Sequence, residues 1–158
     1  MERYTEEELA VEYARLFVGP YELKAPPYGS LYYIEKEGKV MGDSTMEAVR
    51  MYRDEGLSID GDFKEVPDHI TAELEFMYYL IFREVEQLGN GEAHAAAEYR
   101  GKQEAFLKKA LGRWVLPFCE RMQEGTENGW YRSLAECLAV FVKTTSYEVP
   151  APEAWGRR

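Results

Sequence analysis

The side chains best suited to chemistry gather in one short stretch: Asp68, His69 and Glu73. An imidazole and a carboxylate four positions apart on a helix share a face and could hold one metal ion. Two ligands fall short of a zinc site, and no cysteine or second histidine lies nearby. Asp68 beside His69 could also act as an acid–base pair, and with Glu73 could serve a small hydrolase. Adjacent helical residues diverge by about 100°, however, which places such a pair poorly for sharing a proton. His94, on an alanine-rich stretch, reads as a solvated surface residue. Cys119 and Cys137 fit neither a CxxC redox pair nor a zinc pattern, and their apolar helical neighbours make both read as buried thiols in a reducing compartment. No GxSxG, P-loop or GxGxxG run is present. The residues therefore point away from an enzyme and imply neither a metal nor another cofactor.

The same stretch is acidic. Between positions 54 and 75 stand Asp54, Glu55, Asp60, Asp62, Glu65, Asp68, Glu73 and Glu75 against Lys64 alone, eight acids and one base. Such a run is either a solvated face or a docking surface for arginine or lysine, since carboxylates pair with guanidinium in bidentate geometry.

These residues must be positioned by helices. Thr5 and Glu8 have capping-box spacing, and Leu9, Tyr13, Leu16 and Phe17 follow as an apolar stripe, predicting a helix over residues 5 to about 18 that Gly19-Pro20 stops. Residues 19–43 are irregular, because Pro26-Pro27 lacks backbone donors, and the stretch 31–34 reads as one helical turn or a short extended piece. Ser44 and Glu47 form a second capping-box pair, opening a helix that Gly56 closes. After a loop over 57–66, Pro67 suits the first position of the next helix, which would put Asp68 and His69 in its first turn. Its stripe is Ile70, Leu74, Met77, Ile81, Val85 and Leu88, widened by Phe76, Tyr79, Leu80 and Phe82. Gly89-Asn90-Gly91 is a turn. A helix over about 92–111 carries Ala93, Ala96, Tyr99, Gln103, Phe106 and Ala110 near one face, Pro117 forces a separate helix ending near Gln123, and a last helix spans about 129–145 with Trp130, Leu134, Cys137, Leu138 and Phe141. Short turns between helices predict an all-α fold, a compact helical bundle of five to seven helices with at most one short bridge.

The chain of 158 residues, 46% hydrophobic and with a formal net charge of -10, reads as one globular domain over 1–149 with a loose proline-rich tail over 150–158. It shows no basic footprint for nucleic acid. No apolar run reaches the roughly 18 residues that stable insertion into a membrane requires. The opening MERYTEEELA lacks the apolar stretch of a secretory signal, which favours the cytoplasm. Twelve tyrosines either fill a helical core or mark a contact surface.

Four runs then occur in an order that resembles a known family. These are LFVGP at 16–20, APPYGS at 25–30, MGDST at 41–45 and VPDHITAELEFM at 66–77, followed by Phe106-Leu107, Trp114 and Trp130-Tyr131. Together they resemble the TorD/DmsD/NarJ chaperones that mature molybdenum-containing redox enzymes, over roughly residues 9–145. The resemblance implies an all-helical, TorD-like fold without catalysis. It implies a chaperone that binds the twin-arginine signal peptide and apo form of a molybdoenzyme catalytic subunit before export. The implied peptide-binding residues are Tyr28, Gly42, Pro67, Asp68 and His69, with Glu73 one turn further on. A same-fold chaperone for a non-exported nitrate reductase catalytic subunit is the alternative. Family members usually carry helices ahead of LF-x-GP, so an exposed apolar surface covered by helix exchange in a homodimer is a further expectation.

Overall fold

The computed structural model describes residues 3–20, 22–33 and 41–145. Within them the chain is all-helical: α1 (Glu6–Tyr13), α2 (Asp43–Asp54), α3 (Ile70–Gly89), α4 (Ala93–Lys109), α5 (Val115–Gly125) and α6 (Gly129–Thr145). The sole β feature among these residues is an isolated antiparallel bridge between Tyr28 and His69.

Local chemistry accounts for most of the helix ends. The Thr5 hydroxyl accepts the Glu8 N–H while the Glu8 carboxylate accepts the Thr5 N–H, closing the capping box. A π turn, Ala14–Val18, continues α1 and ends at Gly19, whose φ of 97° suits a residue without a side chain. Pro117 is the third residue of α5, where the missing N–H has no helical partner to lose. It therefore begins a new helix instead of kinking α4.

Two predicted helix starts move. α2 is capped by Gly42 with no side-chain bond, so Ser44 lies inside the helix, and the Glu47 carboxylate binds Arg50 and Lys109 instead of closing a box. α3 starts at Ile70, not at Pro67. His69 is its N-cap, its ring nitrogen accepting the Thr71 N–H, and Asp68 precedes the helix. Pro67 is instead held through its carbonyl, which accepts the Tyr52 hydroxyl. Of the 31–34 stretch, Leu31 and Tyr32 belong to the 3-10 turn Gly29–Tyr32, while Ile34 lies outside the described residues, as does the 150–158 tail.

The core forms where α3 and α4 pair across the Gly89–Gly91 turn. Phe106 of α4 meets Phe76 of α3 edge-on at 4.8 Å, and Tyr52 of α2 meets Phe76 at the same distance. Each such side chain contributes roughly 1.5–3 kcal/mol by leaving water. A buried carboxylate, Glu84, ties the pair by accepting from Arg100 and Gln103. Arg100 and Gln103 lie on α4, so the bond crosses between the helices. The predicted apolar surface of α3 overreaches only in part: Phe82, Val85 and Leu88 are exposed, whereas Ile70, Phe76, Met77 and Leu80 are buried as the pattern predicts, joined by Ala72. α5 and α6 pack together, and α1 crosses them, with Tyr131 donating to the Leu9 carbonyl and Arg15 to the Gly125 carbonyl.

Candidate functional site

The segment around Asp68 and the APPYGS loop are locked together. The Gly29 N–H donates to the Asp68 carbonyl and the Ile70 N–H to the Pro27 carbonyl, both at 2.9 Å, which makes the Tyr28–His69 bridge. Asp68 is 2% exposed, and one carboxylate oxygen accepts the Ser30 N–H at 2.6 Å and the Thr45 hydroxyl at 3.0 Å. This single side chain thus joins three segments distant in sequence: the loop, the first turn of α2 and the entry to α3.

Glu73 lies one turn deeper and is equally buried. Its carboxylate accepts the Trp114 indole N–H at 3.0 Å. Burial pushes its pKa up to about 8; the indole bond pulls the other way, and the nearby Asp68 charge adds to the rise. The Trp114 ring also packs on Gly29, where a Cβ would stand 2.9 Å from the indole nitrogen. Gly42, at the start of α2, is buried as well. Asp68 and Glu73 therefore tie the site together from inside. They are neither part of a solvated face nor exposed docking groups, and Asp68 precedes the helix instead of lying in its first turn.

Tyr28 is partly exposed at the edge of this knot, and His69 is buried against it at 6% exposure. Their rings meet edge-on at 5.1 Å. Burial lowers the pKa of His69 against the opposing pull of Glu65 and Asp68, favouring the neutral ring. With Nδ1 accepting from Thr71, the proton of the neutral imidazole sits on Nε2. The Tyr28 hydroxyl donates to exposed Glu65 at 2.8 Å; burial and this bond push the phenol up to about 12. Asp68, His69 and Glu73 bind different partners and do not converge, as a hydrolase would require. Among the described residues no group of three or more potential ligands could hold a metal.

Beside His69 an apolar groove of about 500 Å³ opens between α1, α3, α5 and α6. Its walls include Tyr13, Phe17, His69, Leu74, Trp130, Leu134, Leu138 and Phe141. Trp130 and Leu134 remain about half exposed. The sequence stripe Trp130, Leu134, Cys137, Leu138, Phe141 therefore lies along the groove, together with buried Tyr131, while Ala135 and Val142 are buried in the core. Periodicity picks out these residues but does not reveal that their face is left open. Cys137 is exposed on that face, not buried as expected, whereas Cys119 is buried with its thiol pushed up to about 11. The acidic run also divides. Asp68 and Glu73 turn inward and Glu55 binds Lys102, leaving Asp54, Asp60, Asp62, Glu65 and Glu75 exposed.

The family model described as nitrate reductase delta subunit matches residues 2–120. The chain belongs to that family, the TorD/DmsD/NarJ redox enzyme maturation chaperones. The chaperone protein TorD of Vibrio parahaemolyticus is 33% identical over 141 residues, covering 88% of this chain and 63% of the relative. The Tat proofreading chaperone DmsD of Salmonella typhi is 36% identical over 69 residues, 44% of this chain and 33% of its own. A crystal structure of a provisionally assigned redox enzyme maturation protein from Archaeoglobus fulgidus aligns with a TM-score of 0.58 at 25% identity, covering 89% of this chain and 69% of that one. The chain spans about three-fifths of the length of the TorD relatives that it matches. No helix among the described residues is long and apolar enough to cross a membrane.

Proposed function

We propose that this protein is a chaperone for a molybdenum-cofactor redox enzyme, and that it holds the enzyme's twin-arginine signal peptide in the cytoplasm before export. The observation that carries the reading is the open apolar groove beside His69. A signal peptide carries a contiguous apolar stretch, and a preformed apolar groove is what receives one. Each leucine-sized side chain taken out of water contributes roughly 1.5–3 kcal/mol. About 8 kcal/mol corresponds to micromolar affinity, so a handful of seated side chains suffices after the ordering cost. The names of the relatives support the same reading, since one is a Tat proofreading chaperone.

In this reading the six motif residues divide in two. His69 lines the groove and meets the peptide along its small exposed edge, Tyr28 packs against the His69 ring from outside the groove, and Pro67 anchors the segment that carries His69. Asp68, Glu73 and Gly42 are positioning residues. The protein catalyses nothing and holds no cofactor of its own.

The test is calorimetric titration of a synthetic twin-arginine signal peptide, combined with the rate of Cys137 alkylation. Cys137 lines the groove and is exposed, so bound peptide should slow its reaction with a thiol reagent by tenfold or more at saturation, on the order expected for steric occlusion of a contact surface. Tight binding with unchanged Cys137 reactivity would place the peptide elsewhere. A second reading, a chaperone recognising the N-terminus of a non-exported nitrate reductase subunit, is favoured by the description of the matching family. A peptide that keeps its affinity after both arginines become glutamine would support it.

A further inference from the structure

A second groove, about 370 Å³, lies on the other side of the α3 entry and is built differently. Its walls are aromatic, with Phe63, Phe76, Tyr78, Tyr79 and Phe82, and its charged lining residues are Asp60 and Glu75. Both acids are exposed, and among the described residues no lysine or arginine lines it. Tyr78 and Phe82 are 67% and 52% exposed, a high value for neighbouring large rings on a helix, and their centroids are 6.3 Å apart. Aromatic faces and carboxylates around one opening select a cation, because the ring quadrupole and the carboxylate both attract it. The carboxylates disfavour an anion.

The two grooves flank one pair of rings. Phe63 lines this one, His69 lines the other, and the two rings lie 6.2 Å apart. We infer that the aromatic-acidic groove receives the arginine-bearing segment of the client peptide, while the apolar stretch of the same peptide lies in the groove beside His69. The peptide then crosses the Phe63–His69 wall, and the two grooves read its two chemically different parts separately. This inference rests on the signal-peptide reading proposed above, and adds a site for the cations outside the Tyr28–His69 segment.

The experiment is a cycle of two proteins and two peptides. The proteins are the full chain and its Asp60→Asn, Glu75→Gln double variant; the peptides are the twin-arginine peptide and its copy with both arginines replaced by glutamine. Both substitutions are on exposed side chains, so melting curves should coincide. The double variant should bind the arginine peptide about tenfold more weakly, the order of two partly exposed ion pairs assisted by ring contacts. It should bind the glutamine peptide as the unaltered chain does. Added salt should weaken the arginine peptide on the unaltered chain and much less on the variant. Equal affinities of variant and unaltered chain for the arginine peptide, or equal losses for both peptides, overturn the inference and leave the signal-peptide reading standing. Failure of the unaltered chain to bind the arginine peptide overturns both.

Discussion

At the scale of single residues, the acids of the family motif work from inside the protein. Asp68 accepts from Ser30 and Thr45 while almost wholly out of water. Asp68→Ala strands two buried donors, each at roughly 1–3 kcal/mol. The variant should therefore lose about 2–4 kcal/mol of stability, as much as a core truncation such as Met77→Ala. Denaturant melts of the two variants provide the comparison; a normal melt for Asp68→Ala would show that the bonds contribute little. Glu73 gives a pH signature. The unfolded chain releases this proton near 4.5, whereas the folded protein keeps it up to about 8. Its contribution is fully present below 4.5 and declines as pH rises toward 8, by at most about 1.4 kcal/mol per pH unit. His69 acts in the opposite sense, because its lowered pKa costs stability as pH falls below about 6.5. Glu73→Gln keeps an acceptor for Trp114 without the charge. It should flatten the melting temperature between pH 5 and 8, roughly the interval between the two proton affinities, where the unaltered protein loses stability. Parallel profiles for the two would contradict the account.

Elements bring these residues together by close approach as much as by hydrogen bonds. Gly29 begins the 3-10 turn against the face of Trp114, and no side chain fits between them. Gly29→Ala should push the indole from Glu73 and cost about 1–3 kcal/mol, the usual range for overpacking. A shifted Trp114 fluorescence maximum would report the displaced ring; an unchanged stability and spectrum would show that the turn simply moves aside. The helices themselves were legible because their signals are local: the Thr5–Glu8 box, the glycine turn at 89–91 and the limits of the last helix at 129–145 all appear where periodicity and punctuation put them. The starts of α2 and α3 were not. Ser44 has capping chemistry and Pro67 suits a first helical position, but a buried Gly42 and a His69 cap compete successfully because tertiary partners hold the loops there.

On the scale of the whole molecule, the division between inside and outside is what a single sequence conveys least. Eight acids in one run read as one charged face, yet two of them stabilise the interior and one pairs across helices. Conversely, the apolar face of α6 reads as core and is the wall of an open groove. Burial depends on which other segments arrive, and the long-range bonds from Asp68 to Ser30 and from Glu73 to Trp114 leave no local periodic trace. The placement of the peptide-binding surface in the groove beside His69 is the central claim. Leu134→Glu tests it most directly, because Leu134 is 44% exposed on the groove wall and a carboxylate there can remain solvated. The melting temperature should stay within a few degrees of that of the unaltered protein, as for most exposed substitutions. Signal-peptide affinity should fall by at least about tenfold, because a charge would face the peptide's apolar stretch. Unchanged peptide affinity in a normally folded Leu134→Glu variant would contradict the claim.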